Sequence, residues 1–260
     1  MAKPASIPCA FSVQGEGPPL FLIHGIGAAR DAWAKLMPIL APFFTVVTYD
    51  LRGHGESPLP DGEFGLDDLV EDLEHIRQET GFEKAHFAGH SLGGMIGPAY
   101  ARAYPDHVLS LGLLSTAAFR TPDDCAKVIA VVKAMEDRGI PNVLETLTDR
   151  WFTEDFIKNH PDIVRHRLDQ VIGTNAGVFL NVFRIYATTE MSPWLDEIKV
   201  PSLVLTGEFD GGCPPRLNKE IANALDDAEL VILNEFKHSL LLEAGEIVAE
   251  EIKDFVLKSV

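Results

Sequence analysis

Cysteine is scarce. Cys9, Cys125 and Cys213 are odd in number, far apart and without a Cys-x-x-Cys pair. This excludes a disulfide framework and a thiolate zinc site, and predicts a reducing cytoplasm as the setting. Positive charge is also thin: 22 Lys and Arg stand against 39 Asp and Glu, for a formal net charge of −17, with no basic run. Such a surface repels phosphate backbones and anionic bilayers, so neither nucleic acid nor a membrane is expected as partner; acids spread over helix faces serve solubility. No apolar run approaches the ~20 residues that span a bilayer. The opening Met1-Ala2-Lys3-Pro4-Ala5-Ser6 lacks the apolar stretch of a secretory signal. Repeats and low-complexity tracts are missing as well, which excludes a solenoid and a disordered tail.

What is present is enough for one compact core, with 46% hydrophobic residues in 260. A strand is predicted near Ile7–Val13, then a Gly/Pro turn at 15–19, then Leu20-Phe21-Leu22-Ile23, apolar on both faces as buried parallel strands are. Between this and the β-branched run Thr45–Tyr49, the segment Asp31–Leu40 has room for one helix. Leu66, Leu69, Val70, Leu73 and Ile76 follow i, i+3, i+4 spacing up to Gly81, an amphipathic helix. A short strand at Ala85–Ala88, a helix from about Ser91 to Tyr104 and a strand at Val108–Leu114 continue an alternation that implies a parallel sheet covered by helices on both faces.

From Phe119 to Pro193 the alternation stops. Five helix-like segments follow one another, with Pro122, Pro141 and Pro161 near their starts, where proline is tolerated. Alternation resumes at Ser202–Thr206 and runs through Glu229–Leu233 to a final helix near 247–257. The expected organisation is an α/β core from residues 1–118 and 194–260, with a helical cap or lid from 119–193.

Gly89-His90-Ser91-Leu92-Gly93 lies between a strand and a helix. A serine on such a sharp turn is forced outward, small neighbours let the backbone turn, and the helix N-terminus favours developing negative charge. Serine needs a base, usually a histidine held by a carboxylate. His238 follows the last strand and Asp210 follows Ser202–Thr206, so both fall at the carboxyl edge of the sheet with Ser91. The chain order Ser, Asp, His is the one α/β-hydrolases use. Other histidines have structural readings: His75 faces outward on its helix, His160 and His166 lie in the helical block, His86 is a core histidine, and His90 fills the variable position of the turn. Asp226 and Asp227 fall at the wrong end of the sheet, and Ser115-Thr116-Ala117-Ala118 offers no carboxylate. Two oxyanion donors are expected, the backbone N–H groups of Leu92 and of Ile26 in the turn His24-Gly25-Ile26-Gly27, with His24 bonding that turn in place.

These motifs, together with Asp50-Leu51-Arg52-Gly53-His54-Gly55-Glu56-Ser57, closely resemble the α/β-hydrolase superfamily in order and over nearly the whole chain. The resemblance implies a mostly parallel, doubly wound, eight-stranded sheet with a helical cap after the sixth strand. The stretch from His86 to Gly97, Ser115–Ala118 and Trp151-Phe152-Thr153 look most like the 3-oxoadipate enol-lactonases, whereas the loop Lys237–Glu243 is closer to generic esterases. Serine in place of aspartate at the nucleophile position argues against a haloalkane dehalogenase or epoxide hydrolase.

The sequence therefore predicts a hydrolase of a small carboxylic ester or lactone, working through a serine acyl-enzyme without metal or organic cofactor. A homodimer is compatible with it. Trp151, Phe152 and Phe156 are expected to wall the substrate site, and Arg150, Arg120 or Arg184 to meet a substrate carboxylate. Two rivals share the same three side chains: a carbon–carbon bond hydrolase or cofactor-free haloperoxidase, and a receptor-like member that binds a signal with very slow turnover.

Overall fold

The computed structural model describes residues 6–259. Strands β1 (Phe11–Gln14), β2 (Pro19–Ile23) and β3 (Thr45–Tyr49) open the chain, with a 3₁₀ turn at Arg30–Trp33 and the one-turn helix α1 (Met37–Leu40) between the last two. Then come α2 (Leu66–Thr80), β4 (Ala85–His90), α3 (Gly93–Ala103) and β5 (Val108–Leu114). Helices α4 (Pro122–Arg138), α5 (Pro141–Trp151), α6 (Glu154–Asn159), α7 (Pro161–Gly173) and α8 (Ala176–Thr188) follow without a strand. The chain closes with β6 (Ser202–Gly207), α9 (Pro215–Ala224), β7 (Ala228–Leu233), α10 (Leu240–Glu243) and α11 (Gly245–Lys258).

The strands form one sheet in the order β1-β3-β2-β4-β5-β6-β7, antiparallel only between β1 and β3. Among the described residues there are seven strands, one fewer than the resemblance implies. Residues 6–10 do not extend the edge: the amide of Ile7 donates to Asp72 on α2 (2.8 Å) and that of Ala10 to the Ser57 hydroxyl (2.9 Å). The single helix expected at 31–40 is broken in two. Pro38 stands in the first turn of α1, where its missing N–H costs nothing but bars a helix arriving from before it.

Alternation along the strands fills both faces. Phe21 and Ile23 pack with Val47, Phe87 and Leu111 against Leu69, Leu73 and Ile76 of α2, Met95 and Ile96 of α3, and Ile221 of α9. Leu20 and Leu22 point the other way, onto Leu40 of α1 and Val248, Ile252 and Phe255 of α11. Each fully buried aliphatic side chain contributes roughly 1.5–3 kcal/mol by area. Helices α4 to α8 carry a smaller core of their own, in which Met135, Val143, Leu144, Val171, Phe179 and Phe183 meet. No helix among the described residues is long and apolar enough to cross a membrane.

Candidate active site

Parallel pairing aligns the ends of β2, β4 and β5: Ile23 lies beside Gly89, and His90 beside Leu114. The carboxyl edge of such a sheet is where ligands bind in open α/β folds. There the chain leaves β4 and enters α3 through Ser91, which is left-handed at φ 58° although it carries a side chain. The Ser91 amide donates to the Leu114 carbonyl (2.8 Å), anchoring the turn to β5. Gly89 is required, because a Cβ there would overlap the backbone carbonyl of Gly93. Leu92 has helical angles at the start of α3, where the first amides have no acceptor within the helix.

Asp210 lies in the loop after β6, fully enclosed, and the Nδ1 of His238 bonds its Oδ2 at 2.7 Å. The other carboxylate oxygen accepts the amides of Gly212 (2.9 Å) and Cys213 (2.8 Å), so the group cannot swivel. Burial alone would raise the Asp210 pKa, but the imidazole and the two amides outweigh it and hold the carboxyl below its ordinary value. For His238 the balance has the same origin: burial disfavours the imidazolium, and the Asp210 charge overcomes this and raises the pKa above that of an ordinary histidine. His90 Nε2–H donates to the His238 carbonyl (2.9 Å), joining the serine turn to the histidine loop. Among the described residues the Ser91 hydroxyl makes no hydrogen bond of its own; hydroxyl and imidazole face the same cavity.

The turn after β2 abuts the serine so closely that a Cβ on Gly25 would lie 3.0 Å from Ser91 Cβ. Its wiring is fixed by two neutral histidines. His24 Nδ1–H donates to the Gly25 carbonyl (2.7 Å), while its Nε2 accepts from the Leu51 amide (2.9 Å). His54 Nε2 accepts from the Gly27 amide (3.2 Å). Burial pushes the His24 pKa far down and that of His54 down to about 4. The Gly27 and Ala28 amides are engaged, the latter on the Gly25 carbonyl (3.3 Å), whereas the Ile26 N–H makes no hydrogen bond among the described residues.

The cavity above these groups has a volume of about 370 Å³. Ile26, Ser91 and His238 line it together with Arg150, Trp151 and Tyr186. Phe152, expected in the wall, is elsewhere: it is wholly buried and stacks on Phe156 with ring centroids 5.6 Å apart, and neither ring reaches the cavity. α5 ends at Trp151, and Phe152 turns into extended backbone (φ −119°, ψ 149°), so adjacent side chains point to different places. Arg120 is spent on the carbonyls of Tyr186 and Thr189, and Arg184 on Glu136 at the surface. Sequence reasoning missed Arg167 and His166 of α7, both of which line the cavity. It also missed Cys213, whose Sγ lies 3.0 Å from the Tyr186 hydroxyl. Asp210, Cys213 and His238 present donor atoms within 4.8 Å of one another and are the residues here that could hold a metal ion. A cavity-lining hydroxyl at a helix N-terminus, an imidazole and a fixed carboxylate beside open backbone donors are the groups that nucleophilic acyl transfer uses.

Known proteins share this architecture. An (E)-2-((N-methylformamido)methylene)succinate hydrolase from Acinetobacter baylyi is 27% identical over 244 residues, 92% of this chain and 90% of that protein. A 3-oxoadipate enol-lactonase from the same organism is 26% identical over 197 residues, 76% of this chain and 73% of its own. The solved enol-lactonase from Burkholderia xenovorans LB400 superposes with a TM-score of 0.89 at 25% identity, covering 96% of each chain. The sequence model of the α/β hydrolase fold matches residues 18–156, more than half of the chain, and the protein belongs to that family.

Proposed function

We propose that the protein hydrolyses a small carboxylic ester or lactone through an acyl-enzyme on Ser91. The observation that carries this reading is the His238–Asp210 bond of 2.7 Å facing the same cavity as a serine held at φ 58°. Neutral His238 takes the Ser91 proton on Nε2 as the oxygen attacks the carbonyl carbon, and Asp210 keeps the proton on Nδ1. The Leu92 and Ile26 amides receive the oxyanion, each worth roughly 3–4 kcal/mol of barrier. His238 then protonates the leaving oxygen, which in a lactone stays on the acyl group, and activates the water that frees Ser91. Every step uses groups of this chain, and no cofactor enters. The relatives' named reactions, on a succinate derivative and on an enol-lactone, favour small esters and lactones as first substrates.

Arg150 and Trp151 are the proposed substrate contacts of the helical cap, since both border the cavity. The test is a panel of p-nitrophenyl esters and lactones of varied length and charge. Wild type should show a burst of nitrophenol, and Ser91→Ala should lose activity by about 10⁴- to 10⁶-fold at an unchanged melting temperature. Near-normal turnover by that variant would overturn the assignment.

A further inference from the structure

Arg167 reaches from α7 to the turn after β2, 140 residues away in sequence. Its Nη2 donates to the Ile26 carbonyl (2.8 Å) and its Nη1 to the Gly27 carbonyl. No carboxylate among the described residues lies within ion-pair distance of this guanidinium; its flat face instead covers the Trp151 ring, 5.3 Å from centroid. Burial pushes its pKa down to about 10, so it remains a cation at neutral pH. A half-buried cation donating to two successive carbonyls has a positional consequence. The fork fixes the planes of the Ile26–Gly27 and Gly27–Ala28 peptides, and the first of these adjoins, across the Ile26 Cα, the peptide that carries the Ile26 N–H.

The same turn is gripped elsewhere by the helical insertion. Gly27 is left-handed at φ +60°, and a Cβ there would come 2.6 Å from the Phe179 ring of α8. Trp151, under the guanidinium, accepts the Ser239 amide on its own carbonyl (2.9 Å), one residue beyond His238. Lys237 Nζ reaches the Asp149 carbonyl (2.6 Å), and the Thr153 hydroxyl bonds Glu243 (2.6 Å). A continuous path of contacts thus runs from Ile26 through Arg167 and Trp151 to the loop that carries His238.

We infer that Arg167, stacked on Trp151, is a positioning residue that sets the oxyanion donor of Ile26 against the His238 loop, so that the helical insertion holds the catalytic geometry as well as enclosing substrate. This rests on the acyl-enzyme reading above. Its signature differs from that of a substrate-anion holder, because a donor misplaced by even 1 Å can cost about 100-fold in rate while ground-state binding of a neutral ester is untouched.

The test uses the full-length protein with p-nitrophenyl acetate (neutral) and 4-nitrophenyl hemisuccinate (anionic). Arg167→Met should lower kcat by about 30- to 100-fold on both esters with KM within twofold, and should weaken inhibition by phenylboronic acid, which forms a tetrahedral adduct on serine, by a similar factor. Arg167→Lys, which keeps the charge but not the two-pronged fork, should recover only part of the rate and guards against loss of folding in the methionine variant. Trp151→Leu should lower kcat in the same direction by a smaller factor. A kcat within twofold of wild type in both Arg167 variants overturns the inference. So does a rise in KM confined to the hemisuccinate, which would make Arg167 a substrate contact. A wild type without Ser91-dependent turnover removes the acyl-enzyme reading itself, and this inference with it, a result separable from the other two.

Discussion

The edge of the sheet and the helices above it solve opposite problems. At the edge, Ser91, Asp210, His24 and His54 are polar groups held in one arrangement by backbone bonds, and each has a defined partner or direction. In the insertion, Met135, Leu144, Phe179 and Phe183 pack an apolar core of ordinary kind, and the cavity wall is its by-product. On the acyl-enzyme reading, the first region specifies what reaction is feasible and the second which molecule is admitted. Changes at the edge should therefore have the largest effects on rate, and changes in the helices should alter selectivity or stability, with Arg167 the exception that reaches into the rate through the turn after β2.

The largest contrast comes from Asp210→Asn. It should reduce kcat by about 10⁴-fold, because the imidazole loses the partner that fixes its tautomer. The pH profile sharpens the point. His238 must be neutral to act as base, and the Asp210 charge raises its pKa, so the acid limb of kcat/KM should lie above 6.5 in wild type. In the asparagine variant the limb should move down. A limb that stays in place would show that the carboxylate does not govern this histidine.

Next in size is the pair of neighbouring aromatics. Phe152→Ala removes a wholly buried ring and should cost about 3–5 kcal/mol of stability while leaving the ratio of kcat/KM between short and long esters unchanged. Trp151→Ala should shift that ratio and lower kcat. If Phe152→Ala alters selectivity more than Trp151→Ala does, the division between wall and packing is wrong.

The smallest effect concerns acid. His54 is pushed down to about 4, His86 to about 4 and His90 to about 3 by burial, against 6.5 for a free histidine. Between these values the unfolded chain binds protons that the folded protein refuses, so the unfolded state gains as pH falls. The contribution of these three histidines should be full above 6.5 and decline progressively below it; His238, raised rather than lowered, acts above 6.5, where its stabilisation is lost as pH rises. Urea midpoints from pH 6.5 to pH 4 measure the slope. A midpoint that rises on acidification contradicts the buried, neutral histidines.

The same division explains what the sequence disclosed. Ser91, Asp210 and His238 each follow a strand of the parallel sheet, so strand ends and residue type suffice to bring them to one edge. The Ile26 amide was legible for the same reason, as part of a glycine-bearing turn. Arg167 was not, because its task depends on how α7 docks on a turn 140 residues earlier, which helical periodicity does not encode. Phe152 was misplaced because the chain leaves α5 at that residue, and a pattern cannot state the direction of the first extended side chain. The count of seven strands among the described residues has a similar cause: whether residues 6–10 pair with an edge or bond to Asp72 is decided by tertiary contacts.

Residue 91 carries one more implication. A side chain at φ 58° sits in a region that costs roughly 1–2 kcal/mol relative to ordinary helical backbone, and glycine would occupy it without that penalty. On the acyl-enzyme reading, the nucleophile is thus held against the backbone's own preference. A lineage of this chain released from catalysis would, on that reading, have a thermodynamic incentive to abandon the hydroxyl.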